Sequence, residues 1–127
     1  MTDITAVRII QNQLASKTEV INGIKVPAAF TGEGSRKFGG RWNSIGTPIV
    51  YTAGTQSLAI LEVVVHVESE RLLEHYSLFE VSFDQSLVLE LSLDSLPEDW
   101  QSDPAAESTK VIGDQWVKQA DSLILQV

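Results

Sequence analysis

Five short apolar stretches have the pattern of β-strands. Partial alternation of apolar and polar residues in 76–84 and 87–93 favours strands with one buried face. Residues 6–10, 47–51 and 123–127 are short runs rich in β-branched or aliphatic side chains, which is typical of strands with little exposed surface. The pattern therefore predicts a chain in which strands dominate.

Two further segments favour helices. Thr55 is a suitable N-cap for a helix over residues 56–67, and Ser108 for a second helix that passes Trp116 and ends near residue 120. The first helix is apolar on nearly every side, so we expect it to be buried. A short helix over residues 11–16 is also compatible with the pattern. Strands with a few helices predict an α+β fold around a twisted, mostly antiparallel sheet.

Residues 22–46 contain six glycines and little periodicity. This stretch is predicted to be a long loop, and loops of such length in compact domains are often functional. No internal repeat, low-complexity tract or linker interrupts the 127 residues. The length therefore predicts one domain, residues 1–127.

Composition narrows the function. The chain carries a net charge of −8 and has no cysteine, which excludes disulfides and thiolate metal sites. With only two histidines and no cysteine, we expect no metal site. The acidic balance argues against direct binding of nucleic acid. The excess of acidic residues is explained by a requirement for solubility. The other interpretation is that the chain binds a partner protein with a basic face.

No apolar run reaches the roughly 20 residues of a membrane span. The first residues, beginning Met1-Thr2-Asp3, lack the basic and apolar regions of a secretory signal. We therefore expect a cytoplasmic protein that has no membrane partner.

Three polar residues stand out at regular intervals. Arg41 follows Gly39-Gly40, Tyr51 ends an apolar run, and Glu62 interrupts the apolar helix. Glycines allow close backbone approach to a ligand, and a guanidinium forks onto phosphate or carboxylate. Together the three residues predict a polar pocket for an anionic ligand with an aromatic ring, such as a nucleotide. Taken singly, Arg41 is also compatible with a surface turn and Tyr51 with ordinary core packing.

Glu62 is the strongest single indication. Its helical neighbours at positions 58, 59 and 65 are apolar. A carboxylate in such surroundings loses hydration unless it is paired, and buried carboxylates are frequent at functional sites. The alternative is that Glu62 pairs with Arg41, Arg8 or His66 only to satisfy the core.

The ordered motifs of the chain resemble those of the RES domain. The segments that carry the resemblance are Val7-Arg8-Ile9, Thr31-Gly32-Glu33-Gly34, Gly39-Gly40-Arg41-Trp42-Asn43, Gly46-Thr47-Pro48, Val50-Tyr51, Leu58-Ala59, Leu61-Glu62 with His66, Leu96-Pro97-Glu98-Asp99-Trp100, Ile112-Gly113-Asp114-Gln115-Trp116 and Ser122-Leu123-Ile124-Leu125-Gln126-Val127. They cover nearly the whole chain.

This resemblance implies a bacterial type II toxin whose partner is an Xre-type antitoxin. The toxin would act as a dimer or as a hetero-oligomer with that antitoxin. The resemblance also implies a fold similar to ADP-ribosyltransferases of the diphtheria-toxin kind, and growth inhibition by consumption of NAD⁺. Because NAD⁺ would be the substrate, we expect no cofactor. The alternatives are a toxin that ADP-ribosylates a protein, and a weakly active or inactive module that mainly binds its antitoxin.

The resemblance also implies site residues. Arg41, Tyr51 and Glu62 would be catalytic, and the residues expected to contact the dinucleotide are Arg8, Gly39, Gly40, Trp42 and Asn43. RES domains usually continue beyond the last apolar strand with a Pro-Ser pair and an Asn- and Pro-rich tail. This chain stops at Val127, so we expect the serine of the family name to be missing unless another serine substitutes for it, and we expect low activity.

Overall fold

The computed structural model describes residues 3–66 and 74–127, and the side chains of residues 64–66 lie outside this description. The described residues form an α+β arrangement of short strands and helices, as predicted. The strands are β1 (Asp3–Gln11), β2 (Thr18–Ile21), β3 (Ile24–Pro27), β4 (Tyr76–Asp84), β5 (Val88–Glu90) and β6 (Ile124–Gln126). The helices are α1 (Asn12–Ala15), α2 (Glu33–Phe38), α3 (Gln56–His66) and α4 (Glu107–Gln119).

The described strands pair two by two. β2 and β3 are antiparallel, with Ile21 opposite Ile24 at the turn. β1 pairs with β4, and side-chain contacts of Thr5 with Ser82 and of Asn12 with Ser77 show that these two strands run in opposite directions. β5 and β6 are parallel, so the described strand pairs are mostly antiparallel, as predicted, with one parallel exception.

The chain divides into two compact units. The β1–β4 unit comprises the described residues of Thr2–Gly32 and Val50–Phe83, and the α4 unit comprises Glu33–Ile49 and Asp84–Val127. Each unit contains elements that are distant in sequence, so neither is a simple half of the chain.

A small apolar cluster holds the β1–β4 unit together. Val7 on β1 exchanges two backbone hydrogen bonds of 2.8 Å with Ala53, and both side chains are buried with Ala59 of α3 and packed against Ile9. This isolated bridge joins β1 to the segment that precedes α3. It therefore fixes the start of α3 against the strand.

Residues 22–46 are more ordered than a long loop. A tight turn at Asn22 (φ 51°) and Gly23 (φ 81°) connects β2 to β3, and α2 follows. Both turn residues have positive φ, as a two-residue hairpin turn requires, and Asn-Gly is the preferred pair there. The loop prediction was wrong for these parts, and the Asn22-Gly23 pair was the available signal.

The predicted strand over residues 47–51 is also wrong. Residues 47–52 have no regular secondary structure, and the bridge to β1 is made only at Ala53. Pro48 has no amide hydrogen to donate to a strand pair. This short apolar segment therefore has no strand partner and adopts an irregular conformation.

α3 begins as predicted. The Thr55 hydroxyl accepts a hydrogen bond of 3.1 Å from the Leu58 amide, which confirms the N-cap. The predicted last residue, Val67, lies outside the described residues. The expectation of a buried helix was wrong, because Leu58 is 46% and Leu61 is 58% exposed. Among the described side chains of this helix, only Ala59 is fully buried, and Ile60 and Val63 are half-buried.

The second predicted helix is confirmed as α4, but its cap is not Ser108. The N-cap residue is Ala106, which has no side-chain hydrogen bond, whereas the Ser108 hydroxyl donates to the Asp99 carboxylate. The described part of the chain contains no helix that is long and apolar enough to cross a membrane.

Candidate functional site

The β1–β4 unit contains a cavity of about 470 Å³. Its size is within the range of small-molecule pockets, roughly 300–1,000 Å³. Its walls come from β1, the segment after Val50, α3 and the start of β4, and the lining residues are Val7, Arg8, Ile9, Tyr51, Thr52, Ala53, Ala59, Glu62, Val63 and Tyr76. Three of the residues predicted from the sequence, Arg8, Tyr51 and Glu62, therefore lie on one cavity.

The bridge between Val7 and Ala53 explains why these residues meet. Because the two backbones are hydrogen-bonded at this point, the residues just before Ala53 lie beside β1. Nη1 of Arg8 donates a hydrogen bond of 2.9 Å to the Tyr51 carbonyl oxygen. The Arg8 side chain is thus held in place by the backbone of the residue predicted to stack on the ligand.

Among the described residues that line this cavity, Arg8 is the cation. Its Nε is buried and has no hydrogen-bond partner among the described residues. Burial lowers the pKa of the Arg8 guanidinium from its usual value, yet an arginine remains protonated in proteins. Among the described residues, no carboxylate lies within 4.0 Å of this charge. A partly buried cation with an unused donor is a suitable group to hold an anionic ligand.

Among the described residues that line this cavity, Glu62 is the carboxylate, and it is not buried. Its side chain is on the exposed part of α3 while it lines the cavity. The prediction that this carboxylate loses its hydration was wrong, because α3 buries only the face around Ala59. Within the described part of the chain Glu62 forms no hydrogen bond or ion pair. It is therefore accessible to a ligand and to water.

Two tyrosines contribute aromatic surface. Tyr51, predicted from the sequence, is half-buried, and so is Tyr76 at the first position of β4. Tyr76 was missed by the sequence reasoning. Its place at the start of an alternating strand gave no sign of function, because only the pairing of β4 with β1 brings it to the cavity.

Arg41 belongs to the α4 unit. Its Nη1 donates two hydrogen bonds of 2.8 Å, to the carbonyl oxygens of Trp100 and Ser102. Its own carbonyl oxygen accepts a hydrogen bond of 2.6 Å from the Thr109 hydroxyl. Arg41 therefore ties the glycine-rich loop to two other segments of its unit.

The residues around Arg41 fix the same loop. Asn43 is fully buried, at 0% exposure, and its Nδ2 donates hydrogen bonds of 2.9 Å and 2.8 Å to the carbonyl oxygens of Ser35 and Thr47. Gly40 donates its amide hydrogen to the Asn43 carbonyl oxygen, 3.1 Å away. Asn43 thus has a clear structural role, and its predicted contact with a dinucleotide stays a prediction.

α4 packs on this loop through one face. Gly113 faces the backbone of Trp42, and the Asp114 carboxylate accepts a hydrogen bond of 2.9 Å from the Ser44 amide. Burial would raise the pKa of Asp114, but hydrogen bonds from Ser44 and Thr47 and the charge of Lys110 outweigh it, so that the pKa is lowered. The ionised carboxylate therefore stabilises the loop.

The predicted site residues fall into two sets. Arg8, Tyr51 and Glu62 line the cavity of the β1–β4 unit. The others belong to the α4 unit, where they form the ordered loop, and they are Gly39, Gly40, Arg41, Trp42 and Asn43. Their contact with a ligand stays a prediction. Among the described residues, no group of three His, Cys, Asp or Glu side chains is arranged as a metal site.

An α+β chain with an arginine, a tyrosine and a glutamate on one polar cavity has the features of a small ligand-binding or catalytic protein. The chain belongs to the RES domain family, whose model matches residues 17–127. This range includes residues of both units. The family expected from the motifs is therefore confirmed.

Several named relatives are similar to this chain. A "Toxin Res" of Photorhabdus laumondii subsp. laumondii is 38% identical over 80% of this chain and 65% of its own length. A "Toxin Res" of Yersinia enterocolitica is 37% identical over 79% of this chain and 66% of its own length. A "Prs ADP-ribosylating toxin" of Sphingobium sp. is 33% identical over 77% of this chain and 63% of its own length. The chain thus spans somewhat less than two thirds of the length of these relatives.

Proposed function

We propose that this chain is a bacterial toxin that consumes NAD⁺ by cleaving the bond between nicotinamide and ribose. The observation that carries the proposal is the cavity in which Arg8, with a buried and unpartnered Nε, shares the walls with Tyr51 and Glu62. Membership of the RES domain family and relatives named "Toxin Res" support the toxin role. We further propose the ADP-ribosyltransferase-like fold that the motifs implied.

Arg8 would bind the pyrophosphate of NAD⁺. Its guanidinium presents planar donors that match phosphate oxygens, and one hydrogen bond, to the Tyr51 carbonyl oxygen, already orients it. Since no carboxylate of the described residues neutralises this charge, the ligand would supply the counter-charge. Tyr51 and Tyr76 would pack against the rings and ribose of the substrate.

Glu62 would act at the bond that breaks. When the glycosidic bond of NAD⁺ breaks, its electron pair leaves with nicotinamide, and the ribose develops positive charge. A carboxylate next to that charge stabilises the transition state, as in glycosidases. Water then adds to the ribose carbon and loses a proton, giving ADP-ribose, nicotinamide and one proton. An exposed Glu62 can either stabilise the cation or orient this water.

The toxin role can be tested in growing bacteria. We would induce the wild type, Glu62→Gln and Glu80→Gln separately, and follow growth and the cellular NAD⁺ concentration. Glu80 is an exposed carboxylate of β4 outside the cavity lining, so Glu80→Gln is a matched control. We expect growth arrest and NAD⁺ loss with the wild type and the control, and neither with Glu62→Gln. Arrest by Glu62→Gln at full potency would contradict the proposal.

A second candidate is transfer of ADP-ribose to a protein. The relative from Sphingobium sp. named as an ADP-ribosylating toxin favours it, and the same cavity would serve, with a protein side chain in place of water. Mass spectrometry of lysate proteins after incubation with NAD⁺ separates the two. Stoichiometric nicotinamide and free ADP-ribose, with no modified protein, would exclude protein transfer.

We also propose that the chain acts beside an Xre-type antitoxin, as the family resemblance implies. The net charge of −8 suits a partner with a basic face. Co-expression with a cognate antitoxin should restore growth and allow isolation of a complex. A chain that binds the antitoxin tightly but never consumes NAD⁺ would instead be a binding module.

A further inference from the structure

A second cavity adjoins the first in the β1–β4 unit. It measures about 490 Å³ and is lined by Gln11, Asn12, Gln13, His75 and Tyr76. Tyr76 lines both cavities. β1 also joins them, because residues 7–9 of this strand line the first cavity and its end lines the second. The two cavities therefore follow one another along a single strand and share one aromatic side chain.

Two glutamines of this second cavity carry amide groups that can form hydrogen bonds with a ligand. Nε2 of Gln13 donates a hydrogen bond of 2.8 Å to Oε1 of Gln11. Within the described part of the chain, the remaining amide groups, Nε2 of Gln11 and Oε1 of Gln13, have no partner. One donor, on Gln11, and one acceptor, on Gln13, thus remain for a ligand in this cavity.

Asn12 has a different role in the same cavity. Its Nδ2 donates a hydrogen bond of 2.9 Å to the Glu74 carbonyl oxygen, and its Oδ1 accepts one from the Ser77 hydroxyl. These bonds tie the end of β1 to the start of β4. Asn12 is therefore structural, whereas Gln11 and Gln13 are the groups that can contact a ligand.

We propose that this second cavity binds the adenine base of the dinucleotide, an inference that rests on the proposed function of the first cavity. An amide donor and an amide acceptor in the same cavity can pair with the edge of adenine, which offers N6–H and a ring nitrogen. The ring of Tyr76 offers a surface on which a base can stack. Among the described residues, the lining contains no Asp, Glu, Lys or Arg, which suits a neutral base.

The order of groups along β1 fits this assignment. Arg8, the phosphate ligand, and Gln11 are three residues apart, which is about 10 Å along a strand. The pyrophosphate would then lie between the two bases, with the reacting ribose beside Glu62 in the first cavity. The carboxamide of nicotinamide also carries a donor and an acceptor, so the experiment must separate the two halves of the substrate.

Binding of each half can be measured without any cleavage. AMP and nicotinamide mononucleotide would be titrated separately into the purified 127-residue chain by calorimetry, and into Gln11→Ala and Gln13→Ala. Loss of a paired amide contact should weaken AMP binding about tenfold, with little effect on nicotinamide mononucleotide. Gln119→Ala, at an exposed position at the end of α4, is the matched control and should bind both as the wild type does.

The outcomes of these titrations distinguish a failure of the adenine site from a failure of the proposed function. AMP binding that weakens only in Gln11→Ala and Gln13→Ala supports the site even if the chain cleaves no NAD⁺, in which case the proposed function fails alone. Cleavage of NAD⁺ with the same KM in the wild type and both variants would overturn the site and leave the function standing. Weaker binding of nicotinamide mononucleotide instead of AMP would also overturn it.

Discussion

Gly113 of α4 lies directly against the backbone of Trp42. A β-carbon added to Gly113 would lie 1.5 Å from the Trp42 carbonyl oxygen and 2.7 Å from its carbonyl carbon. Such distances are impossible, so only glycine permits this approach. The helix therefore carries a glycine in its interior, despite its poor helix propensity, because the loop that contains Arg41 packs there.

The first prediction concerns this contact. Gly113→Ala should lower the free energy of unfolding by about 1–3 kcal/mol, since the helix must move away from Trp42. Urea denaturation would measure the loss. Gly34→Ala is the matched control, because Gly34 lies in α2 and a β-carbon there meets no atom within 4 Å. This control should be neutral or stabilised by up to about 1 kcal/mol. Equal stability of the two variants would contradict the packing described.

The second prediction concerns pH. The pKa of Asp114 is lowered from its ordinary value of 3.8 in the folded protein. The stability it contributes is therefore fully present above about pH 4 and is lost as the pH falls through the lowered pKa. Asp114→Asn should be less stable at neutral pH and should lose less stability than the wild type on further acidification.

Thermal unfolding between pH 7 and pH 2.5 would test this difference. Asp121→Asn removes the same charge at an exposed position and is the control. Parallel acid transitions in the wild type and Asp114→Asn would show that the Asp114–Ser44 hydrogen bond does not depend on ionisation.

A third prediction concerns the start of α3. Thr55→Ala removes the hydroxyl that accepts from the Leu58 amide and should cost about 1 kcal/mol of stability. Ser57→Ala, at the second position of the same helix, where the side chain is exposed, is the control and should change stability little. An unchanged unfolding midpoint for Thr55→Ala would contradict the cap.

A fourth prediction separates binding from stability at Arg8. Arg8→Met removes a partly buried charge whose Nε has no partner among the described residues, so the change in stability should stay within about 1 kcal/mol. Affinity for ADP-ribose should fall at least about tenfold, because charge-assisted hydrogen bonds to the pyrophosphate are lost. Calorimetry and urea denaturation would measure the two effects. Loss of stability with unchanged affinity would identify Arg8 as a structural residue only.

Patterns among neighbouring residues correctly predicted the elements that depend only on those neighbours. The alternation in Tyr76–Asp84 and the cap at Thr55 depend on neighbouring residues, and both agree with the structure. The candidate residues Arg8, Tyr51 and Glu62 came from the residue pattern and the family resemblance, and they line one cavity.

Features that depend on distant partners could not be predicted in this way. The apolar run ending at Tyr51 forms no strand, because its segment meets β1 only at Ala53. The exposure of Glu62 depends on how much of α3 the rest of the unit covers, and an all-apolar helix pattern does not contain that information. Tyr76 reaches the cavity only through the pairing of β4 with β1.

The most direct test of the central claim is release of nicotinamide from NAD⁺ by the purified chain, followed by proton NMR. The wild type, Glu62→Gln, Arg8→Met and the control Glu80→Gln would be compared at equal concentration. We predict nicotinamide release by the wild type and by Glu80→Gln, and a rate at least about 100-fold lower for Glu62→Gln. Nicotinamide release by Glu62→Gln at the wild-type rate, or none from the wild type, would contradict the assignment of this cavity as an NAD⁺-cleaving site.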